Sequence, residues 1–317
     1  MKIDSKKIWV VGSGPMAQAY CKVLLALGVR FEVVGRGEIS ARRLENEIGH
    51  KVHLGGVDKA LASLKAPEFA IVATGVEALE EATLSLLRGG TKSILTEKPG
   101  GLDIAALGRI HAAMETESAK VFIAYNRRFY ASVVKLRELI AEEGGIKSLQ
   151  YEFTERSHVV RKLQTATEIK ERWFIANSSH VVDLAFHLGG RPRDWSAWHE
   201  GSLDWHPASS RFCGAGITDR NVLFNYSADW GAPGRWGLQV TTAKRRFILR
   251  PLEEIKFFSG ETYEEECLTI DRSLDLEYKP GIFLQTQAFL MADENFLCSA
   301  QEQLSNMKTY QRMAGYP

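Results

Sequence analysis

The feature that most constrains this chain is the alternation of short apolar runs with helical patterns over its first third. The run KIWVV at 7–11 ends in GSGPMA, and apolar residues at helical spacing follow it. Strands that alternate with helices predict right-handed βαβ units and a parallel sheet. Later strands are expected at 31–35, 68–74 and 93–97, and helices at 41–49 and 77–90.

The glycine turn GSGPMA predicts a dinucleotide site, because it stands between a strand and a helix. Gly12 would make the tight turn, Gly14 would let the backbone approach a pyrophosphate, and Ala17 would sit where helix and strand pack closely. The start of the helix then offers N–H groups and a partial positive charge to phosphates. The expected loop contacts are Gly12, Ser13, Gly14, Pro15 and Met16.

Polar residues follow two further strands of the predicted sheet. Thr74 and Gly75 end the third run, and Glu97, Lys98 and Pro99 end the fourth. Ligands of such sheets bind at the carboxyl ends of the strands, so Lys98 is expected at the same edge as the glycine turn. The alternative is a solvated lysine at a strand end before a turn.

The end of the second strand predicts NADP rather than NAD. NAD-binding folds usually place an acid there for the ribose hydroxyl, whereas this chain has Gly35 followed by Arg36. A guanidinium suits a 2′-phosphate through charge and a fork of donors, and Ser40 and Arg43 could add contacts. NAD stays open as the alternative, with Arg36 stacking on adenine and Glu38 reaching the ribose.

Composition excludes several classes of protein. Lys+Arg 40 against Asp+Glu 39 gives a net charge of +1, so no global field indicates nucleic acid or an anionic membrane. The start, MKIDSKKIWVVGSG, is interpreted as a first strand rather than a secretion signal, and no apolar stretch approaches a membrane span. The four cysteines are scattered, which predicts reduced thiols and a cytoplasmic location.

Three motifs together give the chain a family resemblance: GSGPMA, TEKPGG at 96–101 and AYNRRFY at 124–130. With them the chain resembles the Gfo/Idh/MocA oxidoreductases over nearly its whole length. The resemblance implies a Rossmann domain at 1–124 and, at 125–317, a substrate-binding α/β domain with an open, mostly antiparallel sheet. It also implies a homodimer or a dimer of dimers formed through that sheet. Helices at 131–143 and 281–312, with β-rich runs from 148 to 258, agree with this division.

The resemblance also assigns roles at the strand ends. It implies that Lys98 approaches both the nicotinamide and the reacting sugar hydroxyl, that Glu97 and Pro99 fix its position, and that the Lys98–Pro99 bond is cis. The cofactor contacts expected outside the glycine turn are Arg36, Thr74, Gly75, Glu97, Lys98, Pro99 and, in the third motif, Asn126.

A second catalytic residue, His180, matches the family in the stretch IANSSHVVDLAFHLGG at 175–190. The usual aspartate four residues earlier is replaced by Ala176, so Lys98 and His180 remain as proton-transfer candidates and Asn177 as a substrate ligand. Two alternatives stay open: His180 as a core histidine of an apolar helix, and a metal site formed by His180, Asp183 and His187. Our expectation is that there is no metal.

Further substrate contacts are expected from three segments. Arg127 follows the strand VFIAY, the loop 156–173 would suit a substrate cover, and YKPGIFLQ at 278–285 resembles a family segment that returns to the active site. The candidates are Arg127, Arg156, His158, Arg172, Trp173, Tyr278 and Lys279.

The expected function is NAD(P)-dependent hydride transfer to or from a carbon of a sugar, sugar derivative or nucleotide-sugar, with cell-surface carbohydrate synthesis as a suggested context. Two alternatives remain. One is a non-catalytic nucleotide-sensing protein, favoured by Ala176 and opposed by the intact EKP motif and His180. The other is a redox-assisted hydrolase or lyase with tightly bound NAD.

Overall fold

The computed structural model describes residues 7–262 and 264–317. These form two compact units: unit 1 holds the described residues up to Asn126 together with Leu274–Ser305, and unit 2 holds Arg127–Ser273 and Asn306–Pro317. Residues 1–6, the beginning of the stretch MKIDSKKIWVVGSG that was weighed as a secretion signal, lie outside the described part. In the described part, no helix combines the length and the apolarity needed to cross a membrane.

Unit 1 is built on a parallel sheet, as the alternation predicted. Strands such as IWVV and FAIV are buried at every position, which is typical of a parallel sheet covered by helices on both faces. Its parallel strands are β1 Ile8–Val11, β2 Phe31–Gly35, β3 Val52–Leu54, β4 Phe69–Val72, β5 Ser93–Glu97 and β6 Lys120–Ala124, in the spatial order β6-β5-β4-β1-β2-β3. The helices between them are α1 Pro15–Ala26, α2 Glu38–Ile48, α3 Gly56–Ser63, α4 Leu79–Arg88 and α5 Ile104–Thr116.

Unit 2 is built on an eight-stranded, mostly antiparallel sheet. Exposed and buried residues alternate along its strands, which is the pattern of a sheet with one covered face and one solvated face. The helices are α6 Ala131–Glu142, α7 Ser157–Val160, α8 Thr167–Glu171 and α9 Ser179–Gly189. The strands are β7 Ser148–Phe153, β8 Pro192–Glu200, β9 Arg211–Thr218, β10 Leu223–Asp229, β11 Trp236–Thr241, β12 Arg245–Leu249, β13 Ile255–Ser259 and β14 Glu266–Leu268.

The carboxyl-terminal stretch is divided differently from the sequence-based division at 124/125. Residues 274–305 belong to unit 1 rather than to the substrate domain, and β15 Cys298–Ser299 pairs antiparallel with β6. The segment expected as helical at 281–312 is therefore interrupted by a strand. Within this segment lie α11 Ile282–Met291 and most of α12 Ala300–Ala314, and the short helix α10 Ser273–Glu277 precedes it. The predicted fold class, a Rossmann sheet plus an α/β domain with a mostly antiparallel sheet, is confirmed.

Candidate functional site

The glycine turn between β1 and α1 has the geometry that a phosphate-binding loop needs. Gly12 has a φ of +127°, and a Cβ on it would lie 2.3 Å from the backbone oxygen of Ala73, so only glycine fits. Gly14 precedes α1 and has open space where its Cβ would be. Among the described residues no side chain caps this helix start. Its N–H groups and positive dipole end are thus open to an anion.

A cavity of about 600 Å³ lies against this turn. Its size falls in the range of small-molecule and cofactor sites. The ends of three neighbouring strands contribute to it, and the openness at Gly14 leaves room for a pyrophosphate to approach the backbone. The residues present therefore fit a dinucleotide. Predicted contacts among the lining residues are Gly12, Ser13, Gly14, Pro15, Met16, Arg36, Thr74 and Gly75.

Arg36 lies at the end of β2, on the wall of this cavity. Its Cγ would be 3.2 Å from a Cβ on Gly56, so the glycine gives its stem room, and its guanidinium has no ion-pair partner in the described part of the chain. Ser40 also lines the cavity and bonds Ser13, with 2.7 Å between the two Oγ atoms. Glu38, the carboxylate of the NAD alternative, forms an ion pair with Arg42. Two other carboxylates, Asp58 and Glu81, line the cavity as well.

Lys98 directly follows β5, one strand over from the β4 end that lines the cavity. Its side chain is half-buried, and Pro99 behind it is buried. The Lys98–Pro99 peptide bond is cis, as the resemblance implies. Unit 1 thus holds Lys98 at the same sheet edge as the glycine turn.

Glu97 points into the interior of unit 1. Its carboxylate accepts a hydrogen bond of 2.7 Å from Tyr20 Oη, and only 9% of the residue is exposed. Burial raises the pKa of the Glu97 carboxyl, opposed by the Tyr20 hydrogen bond and the positive charges of Lys98 and Lys279. Burial and the neighbouring Glu97 also raise the pKa of Tyr20 well above its usual value, so Tyr20 is the donor. Glu97, expected at the cofactor, thus bonds to α1.

The carboxyl-terminal stretch of unit 1 fixes the ends of β5 and β6. The side-chain oxygen of Gln285 accepts from the backbone N–H groups of Tyr125 and Asn126, each at 3.2 Å, and its amide group then faces Tyr20 Oη at 3.3 Å. Gln303 Nε2 donates to the Pro99 carbonyl at 3.1 Å and to Tyr125 Oη at 3.0 Å. The two buried side-chain amides therefore fix the backbone just after β5 and β6, next to Lys98.

Three predicted residues lie beside this network. Asn126 donates its side-chain amide to the Pro280 carbonyl at 2.9 Å. Tyr278 packs against Phe283, with ring centroids 5.1 Å apart. Lys279 is exposed, and its positive charge favours the ionised form of Glu97. The YKPGIFLQ segment contacts the residue after β6 through the bond from Asn126 to the Pro280 carbonyl.

Unit 2 has its own cavity, of about 700 Å³, at one end of its sheet. Antiparallel pairing of β7 with β11 places Phe153 opposite Trp236, so the residues just after β7 and just before β11 meet there. The cavity is lined by Arg127, Tyr130, Thr154, Glu155, Arg156, Asn177, Gly234, Arg235, Trp236, Pro251, Leu252 and Glu253.

Two kinds of polar group face this cavity. Arg127 lies over the Trp236 ring at 4.9 Å and near the Tyr130 ring at 5.8 Å, which are cation–π distances. Glu155, only 8% exposed, accepts hydrogen bonds from Asn177 Nδ2 at 2.9 Å and from Ser178 Oγ at 2.7 Å. The cavity therefore combines cationic groups with an oriented carboxylate.

His180 lies near the start of α9 and is 5% exposed. Its ring centroid is 6.1 Å from that of Trp236, which lines the cavity. Ala176, at the position of the family's aspartate, is buried in the π-helical turn Phe174–Ser178 that precedes α9. Asn177 in the same turn is committed to Glu155, so a carboxylate is present beside the predicted substrate ligand.

Asp183 and His187, two residues of the metal site considered as an alternative, lie close to arginines. The Asp183 carboxylate accepts hydrogen bonds from Arg128 Nε at 2.8 Å and from Arg128 Nη2 at 2.5 Å. Both residues are 2% exposed. Burial and the charges of Arg128, Arg137 and Arg220 lower the pKa of His187 to about 2. Asp183 thus balances a buried arginine, which braces α9 inside unit 2.

The remaining loop candidates are spread over unit 2. Arg156 lines the cavity, whereas Arg172 stacks on Tyr316 at 4.6 Å and Trp173 meets the Trp205 ring edge-on at 6.3 Å. His158 is exposed in α7. Of the four candidates from the loop 156–173, the cavity brings in Arg156.

Sequence reasoning missed several residues of both sites. In unit 2 these are Glu155, Arg235 and Trp236, and in unit 1 they are Tyr20 and Gln285. Tyr20 falls on the apolar face of the predicted first helix. A polar group on a fully buried face was the available signal, because a buried hydroxyl needs a partner.

Comparison with known proteins gives structural matches alone. No family model matches the chain, and no curated protein matches it by sequence. UDP-N-acetylglucosamine 3-dehydrogenase GnnA from Acidithiobacillus ferrooxidans matches with a TM-score of 0.74 at 15% identity, over 98% of this chain and 97% of that one. Levoglucosan dehydrogenase in complex with NADH and levoglucosan matches with a TM-score of 0.77 at 13% identity, over 98% and 96%.

A third match is an oxidoreductase from Agrobacterium radiobacter in complex with NAD⁺, L-tartaric acid and magnesium. Its TM-score is 0.72 at 11% identity, over 97% of this chain and 94% of that one. At identities this low, the structural similarity shows the fold alone. The chain therefore has the fold of these dehydrogenases, which is the fold that its resemblance to the Gfo/Idh/MocA oxidoreductases implies.

Proposed function

We propose that the protein is an NAD(P)-dependent oxidoreductase of the Gfo/Idh/MocA type that acts on a sugar, a sugar derivative or a nucleotide-sugar. The observation that carries this proposal is the position of Lys98. It stands at the carboxyl end of β5, at the same sheet edge as a cavity lined by the glycine turn. The fold shared with sugar and nucleotide-sugar dehydrogenases supports the same activity.

In this mechanism a bound nicotinamide dinucleotide supplies the hydride acceptor or donor. The Lys98 amine holds the reacting hydroxyl by a hydrogen bond and accepts its proton during oxidation, or returns it during reduction. Glu97, bonded to Tyr20, and Gln303, bonded to the Pro99 carbonyl, keep the Lys98 backbone in place. In unit 2, His180 is the second candidate for proton transfer, and Asn177 with Glu155 offers hydrogen bonds to substrate hydroxyls.

The cofactor is proposed to be NADP, with NAD as the alternative. Arg36 on the cavity wall, without an ion-pair partner among the described residues, supports NADP. Two of the structural matches are complexes with NADH or NAD⁺, which keeps the alternative open.

The assembly is proposed to be a homodimer or a dimer of dimers that covers the solvated face of the unit 2 sheet. Trp198 on β8 and Leu223 on β10 are 59% and 60% exposed, and the pairing of β8 with β9 and of β9 with β10 places them on the same face of the sheet. No disulfide joins the four cysteines in the described part of the chain, which supports the proposed cytoplasmic location. Cell-surface carbohydrate synthesis stays the suggested context.

The proposal is tested by incubating the protein with NADP or NAD and a panel of sugars, sugar acids and nucleotide-sugars. Appearance of the reduced cofactor, in proportion to substrate consumed, is the expected result. A redox-assisted hydrolase or lyase would consume substrate without net cofactor turnover. A nucleotide-sensing protein would bind the cofactor and consume no substrate, and either outcome would replace the proposed activity.

A further inference from the structure

We propose that the unit 2 cavity binds the anionic group of a charged sugar, a carboxylate or a phosphate, through Arg156 and Arg235. This inference rests on the proposed function and narrows its substrate class. Three guanidinium groups line this one cavity, those of Arg127, Arg156 and Arg235. A neutral sugar requires no such group, whereas a guanidinium fork matches the oxygens of carboxylates and phosphates.

Arg156 and Arg235 are available for such a ligand. Both are exposed, and neither has an ion-pair partner among residues 7–262 and 264–317. Other exposed arginines of unit 2, such as Arg161 and Arg211, are paired with carboxylates. Solvated arginines occur on ordinary surfaces, and these two differ from them because both line one cavity.

Arg127 has a different part in the same cavity. Its guanidinium lies 4.9 Å from the Trp236 ring centroid, and stacking of this kind holds the planar group while its N–H donors remain directed along the plane. Trp236 and Arg127 together form a wall against which a sugar ring can pack. Arg127 therefore positions the ligand, while the two exposed arginines supply its counter-charge.

The carboxylates of the cavity define the other part of the ligand. Glu155 and Glu253 also line it, so three arginines face two glutamates and an excess of one positive charge remains. Glu155 is fixed by Asn177 and Ser178, an arrangement suited to accepting hydrogen bonds from hydroxyls. The cavity thus fits a ligand with hydroxyls at one end and an anionic group at the other, such as a uronate, a sugar phosphate or a nucleoside-diphosphate sugar.

The test is isothermal titration calorimetry of the NADP-saturated protein with four probes: glucose, glucuronate, glucose 6-phosphate and UDP-glucose. We expect the best anionic probe to bind at least about tenfold more tightly than glucose, with affinity falling as salt is added. The glucuronate arm reports a carboxylate, and the other two arms report phosphate. The double variant R156A/R235A should lose this advantage, while R193A, which removes an exposed arginine of β8 outside the cavity, should keep it.

Three results would overturn the inference. These are equal binding of glucose and all the anionic probes, absence of binding by every anionic probe, and an unchanged preference for anionic probes in R156A/R235A. Cofactor reduction is followed separately on the same samples. Arginine-dependent anion binding without cofactor reduction by any sugar would leave this inference standing and remove the proposed function. If the protein turned over neutral sugars and R156A/R235A left that turnover unchanged, the proposed function would stand and this inference would fall.

Discussion

Tyr20 donates its phenolic hydrogen to the Glu97 carboxylate across 2.7 Å inside unit 1, one residue before Lys98. The two residues are 77 positions apart in the chain, and both are buried. Because the bond joins α1, which starts at the glycine turn, to the end of β5, it ties the proposed cofactor loop to the proposed catalytic lysine.

Tyr20→Phe should destabilise the protein by about 1–3 kcal/mol, because it leaves a buried carboxylate without its donor. The variant should also lower kcat more than it weakens cofactor binding, since Lys98 loses its support. Urea unfolding measures the first effect, and steady-state kinetics with cofactor titration measure the second.

Tyr226→Phe is the matched control. Tyr226 is buried in unit 2, and its hydroxyl has no hydrogen-bond partner in the described part of the chain. Its removal should change the free energy of unfolding little. Equal destabilisation by the two substitutions would contradict a specific role for the Tyr20–Glu97 bond.

Much of unit 1 could be predicted because buried parallel strands appear in the sequence as continuous apolar runs. β3 was missed because it has only three residues and contains His53. Membership of residues 274–305 in unit 1 was missed for another reason. It depends on pairs such as Gln285 with Tyr125, which are far apart in the chain and leave no local pattern.

The residues of the proposed sites also differ in whether a local stretch of sequence predicts them. The glycine turn and Lys98 belong to local motifs, so short stretches of sequence predict them. Glu155 and Trp236 meet only because β7 pairs with β11, a register that no local spacing reveals. Arg235, the residue directly before β11, lines the cavity because of the same pairing.

Stability should fall as the pH is lowered from about 6.5 towards 4, and His206 should account for part of the loss. Burial lowers the pKa of His206 to about 4, so the folded protein binds its proton less readily than the unfolded chain. Its neutral ring donates from Nδ1 to the Ser209 carbonyl at 2.6 Å and accepts at Nε2 from Tyr316 Oη at 2.7 Å. The expected contribution is about 2 kcal/mol lost between pH 7 and pH 5.

Urea unfolding at the two pH values checks this contribution. His206→Gln should lose about 2 kcal/mol less than the wild type over that interval, while the loss due to His187, whose pKa is also lowered, persists. His158→Gln, which removes an exposed histidine of α7, is the control for the loss of a histidine side chain. An identical pH slope in the wild type and His206→Gln would refute the assignment.

Arg36→Ala should weaken NADP binding by about tenfold or more and change NAD binding little, because a 2′-phosphate loses its charged partner. Fluorescence titration with both cofactors measures this. Arg36 lines the cavity whereas Arg43, an exposed arginine of α2, is not among its lining residues, so Arg43→Ala is the control. Tighter binding of NAD than NADP by the wild type would rule out the proposed preference.

Sedimentation at micromolar concentration should show a dimer or tetramer. Leu223→Glu, on the solvated face of the unit 2 sheet, should shift the protein towards monomers, because a charge there opposes burial. Leu276→Glu in α10 changes an even more exposed leucine of unit 1 and should leave the assembly intact. A wild-type monomer would contradict the proposed assembly.

The central claim is that Lys98 is the catalytic base of an oxidoreductase, and single-turnover kinetics of Lys98→Met with the identified substrate test it most directly. The rate of hydride transfer should fall by about a hundredfold or more, with cofactor affinity little changed. Lys92→Met, which removes an exposed lysine before the opposite end of β5, should retain the rate. Near-normal hydride transfer in Lys98→Met would make Lys98 an ordinary charge at a strand end and contradict the account.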